Sequence, residues 1–282
     1  MYKIGLSTTA SRNTEELFSS CAKAGVELVE ISRPKGEVDA LDYNELKSLS
    51  DKYGVKIWSF HLPFYPFSEI DISREDLASK SVEYLCDIID KASGIGIDKF
   101  VIHASGEPIE DENRKSRMEC AKKSLDTLAK YAKARGAIIC VEDLPRSCLG
   151  RSISDIKELI SANDDLRVCF DTNHLLYEDN VDFVKTLGNK IVTLHVSDFD
   201  MVNERHWLPG EGKNDWKSIL GALKEVGYAG PWLYEIDFGF PKTIIREREL
   251  TPEDFVRNAT ELFEGKEFTI FSTPKENLGY WE

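Results

Sequence analysis

The sequence predicts an α/β protein folded as a single barrel domain of eight parallel strands, each followed by a helix. Short apolar runs rich in β-branched residues alternate eight times with longer segments of helical periodicity, which is typical of βαβ units. Polar residues follow these runs from the third to the eighth. An open, doubly wound sheet concentrates its site at one switch point, so this wide distribution favours closure into a (β/α)8 (TIM) barrel.

The strands and helices follow in order along the chain. Strand runs of this length that are apolar throughout indicate burial on both faces, as in parallel sheets. The predicted strands are 3–7, 26–31, 55–60, 98–103, 137–141, 166–170, 190–196 and 231–235. The predicted helices are 13–24, 42–53, 74–94, 113–135, 152–162, 180–188, 214–227 and 251–264. Asn13 begins a run of helix-capping and acidic residues, which predicts the start of the first helix. Thr251-Pro252 predicts the start of the last helix in the same way.

Most of the predicted helices end at a glycine, because the residue after the last turn of a helix commonly adopts the left-handed conformation that glycine favours. They are Gly25, Gly54, Gly94 or Gly96, Gly136 and Gly227. The barrel is predicted to span residues 1–265, and residues 266–282 to form a tail that packs on the barrel or on a partner chain. Phe268-Thr269-Ile270-Phe271 and Tyr280-Trp281 supply the apolar side chains of that tail.

Composition excludes several classes of protein. The chain has 282 residues with 41% hydrophobic and 30% charged residues, which is typical of globular proteins. Its formal net charge of −14 disfavours nucleic acid as a partner. No run approaches the ~20 apolar residues of a membrane span, and the start shows no signal-peptide pattern. We therefore expect a cytoplasmic protein with no membrane partner, whose six scattered cysteines stay reduced.

Candidate metal ligands follow four neighbouring strands. Glu142, Asp171, His195 and Glu235 come at or just after the ends of predicted strands 5, 6, 7 and 8. A barrel brings these ends to one face, where such barrels carry their active sites. Three carboxylates and one imidazole suit one divalent ion, and Mn²⁺, Mg²⁺, Co²⁺ and a catalytic Zn²⁺ all fit. Each residue alone has a structural interpretation, such as capping the next helix or an Asx-turn at Asp171.

Several motifs strengthen the metal hypothesis because they match a known family. They are Phe170-Asp171-Thr172-Asn173-His174, His195-Val196-Ser197-Asp198, His206-Trp207-Leu208-Pro209-Gly210-Glu211-Gly212, Asp215-Trp216 and Tyr234-Glu235-Ile236. From about residue 3 to 265 the chain resembles the xylose isomerase-like barrel superfamily, and within it the sugar phosphate isomerase/epimerase family. The resemblance implies an enzyme of carbohydrate metabolism that isomerises or epimerises a small sugar or related polyhydroxy carbonyl compound.

The resemblance also implies the roles of individual residues. Glu142, Asp171, His195 and Glu235 match the family's metal quartet, with Mn²⁺ as the favoured ion. Glu142 and Glu235 would also exchange protons beside a carbonyl, through a metal-stabilised cis-enediolate. His174 matches a histidine that contacts substrate beside the metal-binding aspartate.

The remaining polar residues are assigned to substrate binding. His61, His103 and His206 match positions that line the sugar pocket in some relatives and hold additional metals in apurinic endonuclease relatives. Several ketose epimerases carry an arginine six residues after the metal histidine, where this chain has Met201. Arg205, from the same loop, is the predicted substitute.

Three alternatives stay open. The first is a metal-dependent dehydratase of a keto-inositol or dehydroshikimate-like substrate. The second is an apurinic endonuclease, disfavoured by the net charge and by Glu204 where the endonucleases have aspartate. The third is a catalytically silent subunit or binding module. The family also includes homo-oligomers, so the assembly state stays open.

Overall fold

The chain forms a closed barrel of parallel strands. The computed structural model describes residues 1–8, 14–66, 69–276, 278 and 279. The barrel strands are β1 (Ile4–Ser7), β2 (Leu28–Ser32), β3 (Lys56–His61), β4 (Lys99–Ile102), β5 (Ile138–Glu142), β6 (Arg167–Asp171), β7 (Ile191–His195) and β8 (Trp232–Tyr234). Within the described residues they form one sheet in the order β7-β6-β5-β4-β3-β2-β1-β8. A parallel bridge between Val196 and Tyr234 joins its two edges. The predicted single-domain TIM barrel is therefore confirmed.

The helices surround the barrel between successive strands. They are α1 (Thr14–Ala24), α2 (Lys35–Asp39), α3 (Tyr43–Tyr53), α4 (Ala78–Gly94), α5 (Asp111–Lys133), α6 (Ile153–Ile160), α7 (Asn180–Leu187), α8 (Trp216–Glu225) and α9 (Pro252–Phe263). The predicted start at Thr251-Pro252 is confirmed by a capping box that joins Thr251 and Asp254. The predicted cap at Asn13 lies outside the described residues.

Three short elements differ from the sequence-based expectation. Helix α2 has five residues, which is too short to show helical periodicity, and a Lys35–Asp39 ion pair bridges it. Past the barrel, β9 (Ile244–Arg246) pairs antiparallel with β10 (Ser272–Pro274), so part of the segment expected to be a tail belongs to a two-stranded sheet. Tyr280 and Trp281 lie outside the described residues, and the boundary at residue 265 stays a prediction.

The apolar core fills the space between the barrel and its helices. Strand β2 is buried at all five positions, as expected for a sheet covered on both faces. None of the helices in the described residues combines the length and apolar character that crossing a membrane requires. All six cysteines are unpaired thiols, in agreement with the prediction.

Asp198 organises the loop that follows β7. Its carboxylate accepts hydrogen bonds from the backbone N–H groups of Gly210 at 2.9 Å, Gly212 at 3.1 Å and Asn214 at 3.0 Å, and from Trp216 Nε1 at 2.8 Å. A buried carboxylate with this many donors fixes the loop that carries His206 beside the barrel mouth.

We expect Gly212→Ala to destabilise the protein. An added methyl group would collide with the Asp198 carboxylate and with the carbonyl oxygen of Phe199, and overpacking of this kind costs ~1–3 kcal/mol. The matched control is Gly221→Ala, in the middle of α8, where a methyl group meets no atom within 4 Å. That substitution should raise stability by about 0.5–1 kcal/mol. Urea unfolding of both variants measures the difference, and equal free energies of unfolding would contradict the close packing that we describe around Gly212.

Candidate metal centre and active site

The four predicted metal ligands lie together at the carboxyl ends of the barrel strands. Glu142, Asp171 and His195 are the last residues of β5, β6 and β7, and Glu235 directly follows β8. One ligand atom from each lies within 4.8 Å of the others. His195 Nδ1 is 2.7 Å from Glu142 Oε1, 3.2 Å from Glu235 Oε2 and 4.0 Å from Asp171 Oδ2. The structure thus brings together side chains that are far apart in sequence.

The donor set and its burial fit a divalent cation. Glu142, Asp171 and His195 are fully buried, whereas the Glu235 side chain is 13% exposed. Among the described residues, no hydrogen-bond partner reaches Asp171 Oδ2, although this atom is buried. Buried carboxylates are normally paired or bound to metals, and oxygen ligands with one imidazole suit Mn²⁺, Mg²⁺ or a catalytic Zn²⁺. A cation here would satisfy the unpartnered oxygen and offset the repulsion among the three acids.

The ionisation of the acids follows from the same environment. Burial, opposed by the charges of His174 and His206, raises the pKa of Asp171 to about 6. Burial also acts to raise the pKa of Glu235, but the adjacent His195 more than offsets it and lowers that pKa to about 2. For Glu142, the charges of His195 and His103 overcome burial and hold the pKa well below its usual range. Both glutamates are therefore carboxylates near neutral pH.

Two further imidazoles contact Glu142. His61 Nε2 and His103 Nε2 each lie 3.1 Å from Glu142 Oε2. His61 is the last residue of β3, and its Nδ1 donates to the carbonyl of Leu62 at 3.0 Å, which fixes the ring. The His103 ring lies 3.7 Å, centroid to centroid, from the ring of Phe64. These two histidines contact Oε2 of Glu142, whereas His195 contacts its Oε1.

A second polar group lies beside the quartet and contains His174, Glu204 and His206. His174 Nδ1 donates to the carbonyl of Asp143 at 2.8 Å, and its Nε2 lies 3.2 Å from Glu204 Oε2. Arg146 Nη2 is 3.0 Å from Glu204 Oε1. His206 Nδ1 donates to the carbonyl of Glu235 at 3.1 Å. Histidine rings with Nδ1 fixed by a backbone carbonyl present a defined Nε2 to their surroundings.

Two residues of this region have a strained backbone conformation. Arg146 has a φ of 53° and His206 a φ of 51°, the left-handed region that non-glycine residues rarely adopt. Such conformations cost on the order of 1–3 kcal/mol and cluster at functional sites. The surrounding hydrogen bonds hold these two side chains at the barrel mouth in spite of that cost.

Arg205 lies in a less exposed position than its predicted role requires. It is among the residues that line the pocket, but its side chain is fully buried. Its Nε donates to Asp200 at 2.9 Å and its Nη2 to the carbonyl of Gly279 at 2.8 Å. Substrate contact by Arg205 stays a prediction. Met201, at the position where several ketose epimerases carry the arginine, is 46% exposed.

The quartet opens into a cavity of about 720 Å³, large enough for a small ligand. Glu142, Glu235 and four of the five histidines line it: His61, His103, His174 and His206. Phe64 and Tyr65 form an apolar part of its wall. A second cavity of about 640 Å³ is lined by Tyr2, Trp58 and Tyr228 and holds none of the predicted site residues.

Three residues near the site were missed by the sequence analysis. Glu30 and Cys169 both approach His195, and Arg146 lines the pocket. Burial raises the pKa of the Cys169 thiol well above its ordinary value, so it stays neutral beside the ligands. A charged residue inside a buried strand, such as Glu30 in β2, was a readable signal, because it requires a partner. No sequence pattern marked Arg146.

Comparisons with known proteins agree with this fold. The chain matches the family model described as xylose isomerase-like TIM barrel over residues 18–251. An uncharacterized Sinorhizobium fredii protein is 26% identical over 175 residues, which are 58% of this chain and 55% of the relative. A D-psicose 3-epimerase of Ruminiclostridium cellulolyticum is 25% identical over 234 residues, covering 76% of this chain and 75% of the relative. The crystal structure of a D-tagatose 3-epimerase-like protein gives a TM-score of 0.78 at 22% identity and covers 93% of this chain and 96% of that chain.

Proposed function

The chain belongs to the xylose isomerase-like TIM barrel family, and on that premise we propose that it is a divalent-metal-dependent isomerase or epimerase. Its substrate would be a small sugar or a related polyhydroxy carbonyl compound. The observation that carries the proposal is the convergence of Glu142, Asp171, His195 and Glu235 within 4.8 Å at the floor of an open cavity. The similarity to a D-psicose 3-epimerase supports the substrate class.

The two glutamates would move the proton. One carboxylate takes the proton from the carbon beside the substrate carbonyl, so that the C–H electrons form an enediolate. The other glutamate returns a proton to the opposite face, which inverts the carbon. The cycle requires one glutamate as a carboxylate that accepts the proton and the other protonated by water so that it can donate one, and the side chains of Glu235 and Glu142 both line the cavity. A cation held by the quartet would supply Lewis-acid polarisation of the carbonyl.

The histidines around the cavity would bind the hydroxyl groups of the substrate. His174 and His206 form one pair, with ring centroids 5.8 Å apart, and His61 and His103 form another, in which both rings contact Glu142. Donors whose positions are fixed by backbone carbonyls lose little freedom when a ligand binds. The ring of Phe64 adds an apolar surface.

A solvent-deuterium experiment tests this proposal. The purified protein is incubated with Mn²⁺ in D₂O and a panel of ketoses and keto-inositols. We expect deuterium to appear on the carbon beside the carbonyl in an epimer or isomer of the substrate. A product lighter by one water would support the dehydratase alternative instead. Absence of exchange from the whole panel, in protein that retains metal, would contradict the proposal.

We predict one metal ion per chain. The His174–Glu204–His206 group has ligand atoms within 4.8 Å of one another, so it is the place where a second ion would bind. Arg146 already places a guanidinium against Glu204, and a second positive charge would be repelled there. Elemental analysis of purified protein after dialysis should therefore give a ratio near one. Asp171→Ala should lose that metal and Glu204→Gln should keep it, while a ratio of two or three would support an endonuclease-like cluster.

A further inference from the structure

Glu30 is a carboxylate buried inside the barrel, at the centre of β2. Its exposure is 0%, and it belongs to a strand whose other four positions are also buried. Acidic side chains are almost never fully buried unless they are paired, because an isolated charge in the interior is costly. Its partners therefore indicate what it does.

Both carboxylate oxygens of Glu30 have a defined partner. Oε1 lies 2.9 Å from His195 Nε2, and Oε2 accepts from the hydroxyl of Ser59 at 2.7 Å. Ser59 is the residue aligned with Glu30 in the neighbouring strand β3. The hydroxyl therefore holds the carboxylate in one orientation, and the carboxylate reaches across the barrel interior to β7.

The opposite side of the same imidazole faces the metal quartet. His195 Nδ1 is the atom that lies 2.7 Å from Glu142 Oε1 and 3.2 Å from Glu235 Oε2. An imidazole that binds a metal through Nδ1 must carry its proton on Nε2. The hydrogen bond at the other nitrogen of a metal-binding histidine fixes both the tautomer and the ring orientation.

We infer that Glu30 is a positioning residue for the metal site, which orients His195 and keeps its proton on Nε2 so that Nδ1 is available to the cation. This role rests on the proposed metal-dependent function. Ser59 supports it indirectly by fixing the carboxylate. Glu30 itself belongs neither to the quartet nor to the residues that line the cavity.

Metal affinity tests the inference. The variants Glu30→Gln and Glu27→Gln each remove one negative charge from the same part of the chain. Glu27 serves as the control because its side chain is 49% exposed and pairs with Lys3. In a competition assay with a chromophoric chelator, Glu30→Gln should weaken Mn²⁺ binding by about 10–100-fold, the usual cost of losing such a partner. Glu27→Gln should bind Mn²⁺ as the wild type does.

A purely structural role would give a different pattern. Glu30→Gln would then lower the unfolding temperature of the metal-free protein and leave the Mn²⁺ affinity of the folded protein unchanged, which would overturn the inference. If Glu30→Gln does not fold, Ser59→Ala replaces it, since it removes the bond that orients the carboxylate. That variant should weaken Mn²⁺ binding by a smaller factor, and unchanged affinity would overturn the inference.

Cobalt gives a second readout that does not depend on turnover. The visible absorption of bound Co²⁺ reports the geometry of its ligands and should change in Glu30→Gln but not in Glu27→Gln. Identical spectra and identical affinities in all variants would overturn the role of Glu30 and leave the proposed function intact. A wild-type protein that binds no divalent cation would overturn the proposed function together with this role.

Discussion

Replacement of Glu235 by glutamine is expected to reduce turnover by ~10³-fold or more while the barrel stays folded. Glutamine has the same shape but cannot accept a proton from carbon, and loss of a general base costs 10²- to 10⁴-fold. Glu235 is the quartet member with the most open side chain, 13% exposed towards the cavity. Its backbone N–H donates to the carbonyl of Val196, and a change confined to the side chain leaves that bond in place. Deuterium exchange into substrate measures the loss.

The control is Glu225→Gln, at the end of α8, where the side chain is 67% exposed. It should retain full activity and the wild-type unfolding temperature. Metal content must be measured with activity, since Glu235 is also a proposed ligand. A Glu235→Gln variant that binds Mn²⁺ and exchanges deuterium at the wild-type rate would refute the catalytic role of this residue.

The part of the site that the sequence predicted is the part fixed by strand ends. Glu142, Asp171 and His195 each complete an apolar run, and a parallel barrel brings all such ends to one face. Their convergence therefore depends only on the number and direction of the strands, which the alternation of strands and helices already reveals. His61 and His103 come to the cavity by the same rule, at the ends of β3 and β4.

The residues that the sequence did not reveal depend on contacts across the barrel or between loops. Glu30 lies in the middle of β2, and only the side chains of Ser59 and His195 explain why a charge is tolerated there. Arg146 reaches Glu204 from a left-handed loop residue, and no periodicity predicts such a conformation. The pairing of β9 with β10 joins segments 26 residues apart at Arg246 and Ser272, so no local turn signal marks it.

The polar interior of this barrel has an energetic consequence. A barrel centre is usually filled by branched apolar side chains, whereas Glu30, Glu142, Asp171 and His195 are here fully buried. Hydrogen bonds satisfy most of their atoms, but burial raises the pKa of Asp171 to about 6, so the interior alone does not stabilise the charge of this carboxylate well. The free energy of folding should therefore depend on whether a cation is bound at the site.

Removal of the metal is accordingly expected to abolish activity and to lower the unfolding temperature. A ligand that binds only the folded state and is present at a thousandfold excess over its Kd stabilises that state by about 4 kcal/mol. For a domain of this size that corresponds to roughly 10 °C. Dialysis against a chelator should give the lower temperature and no deuterium exchange, and added Mn²⁺ should restore both.

Substitution of Asp171 tests whether the rise in unfolding temperature comes from metal bound at this site. Its Oδ2 atom has no hydrogen-bond partner within the described part of the chain, and the imidazole nitrogens of His174 and His195 lie 3.7 Å and 4.0 Å from it, so a bound cation would supply the direct partner that this oxygen needs. Asp171→Asn should therefore lose most of the thermal shift that Mn²⁺ produces, whereas Asp87→Asn, on the exposed face of α4, should keep it. An unfolding temperature that no divalent cation changes in the wild-type protein, together with activity that survives chelation, would show that these acids are held without a metal. The chemistry at Glu142 and Glu235 would then need another explanation.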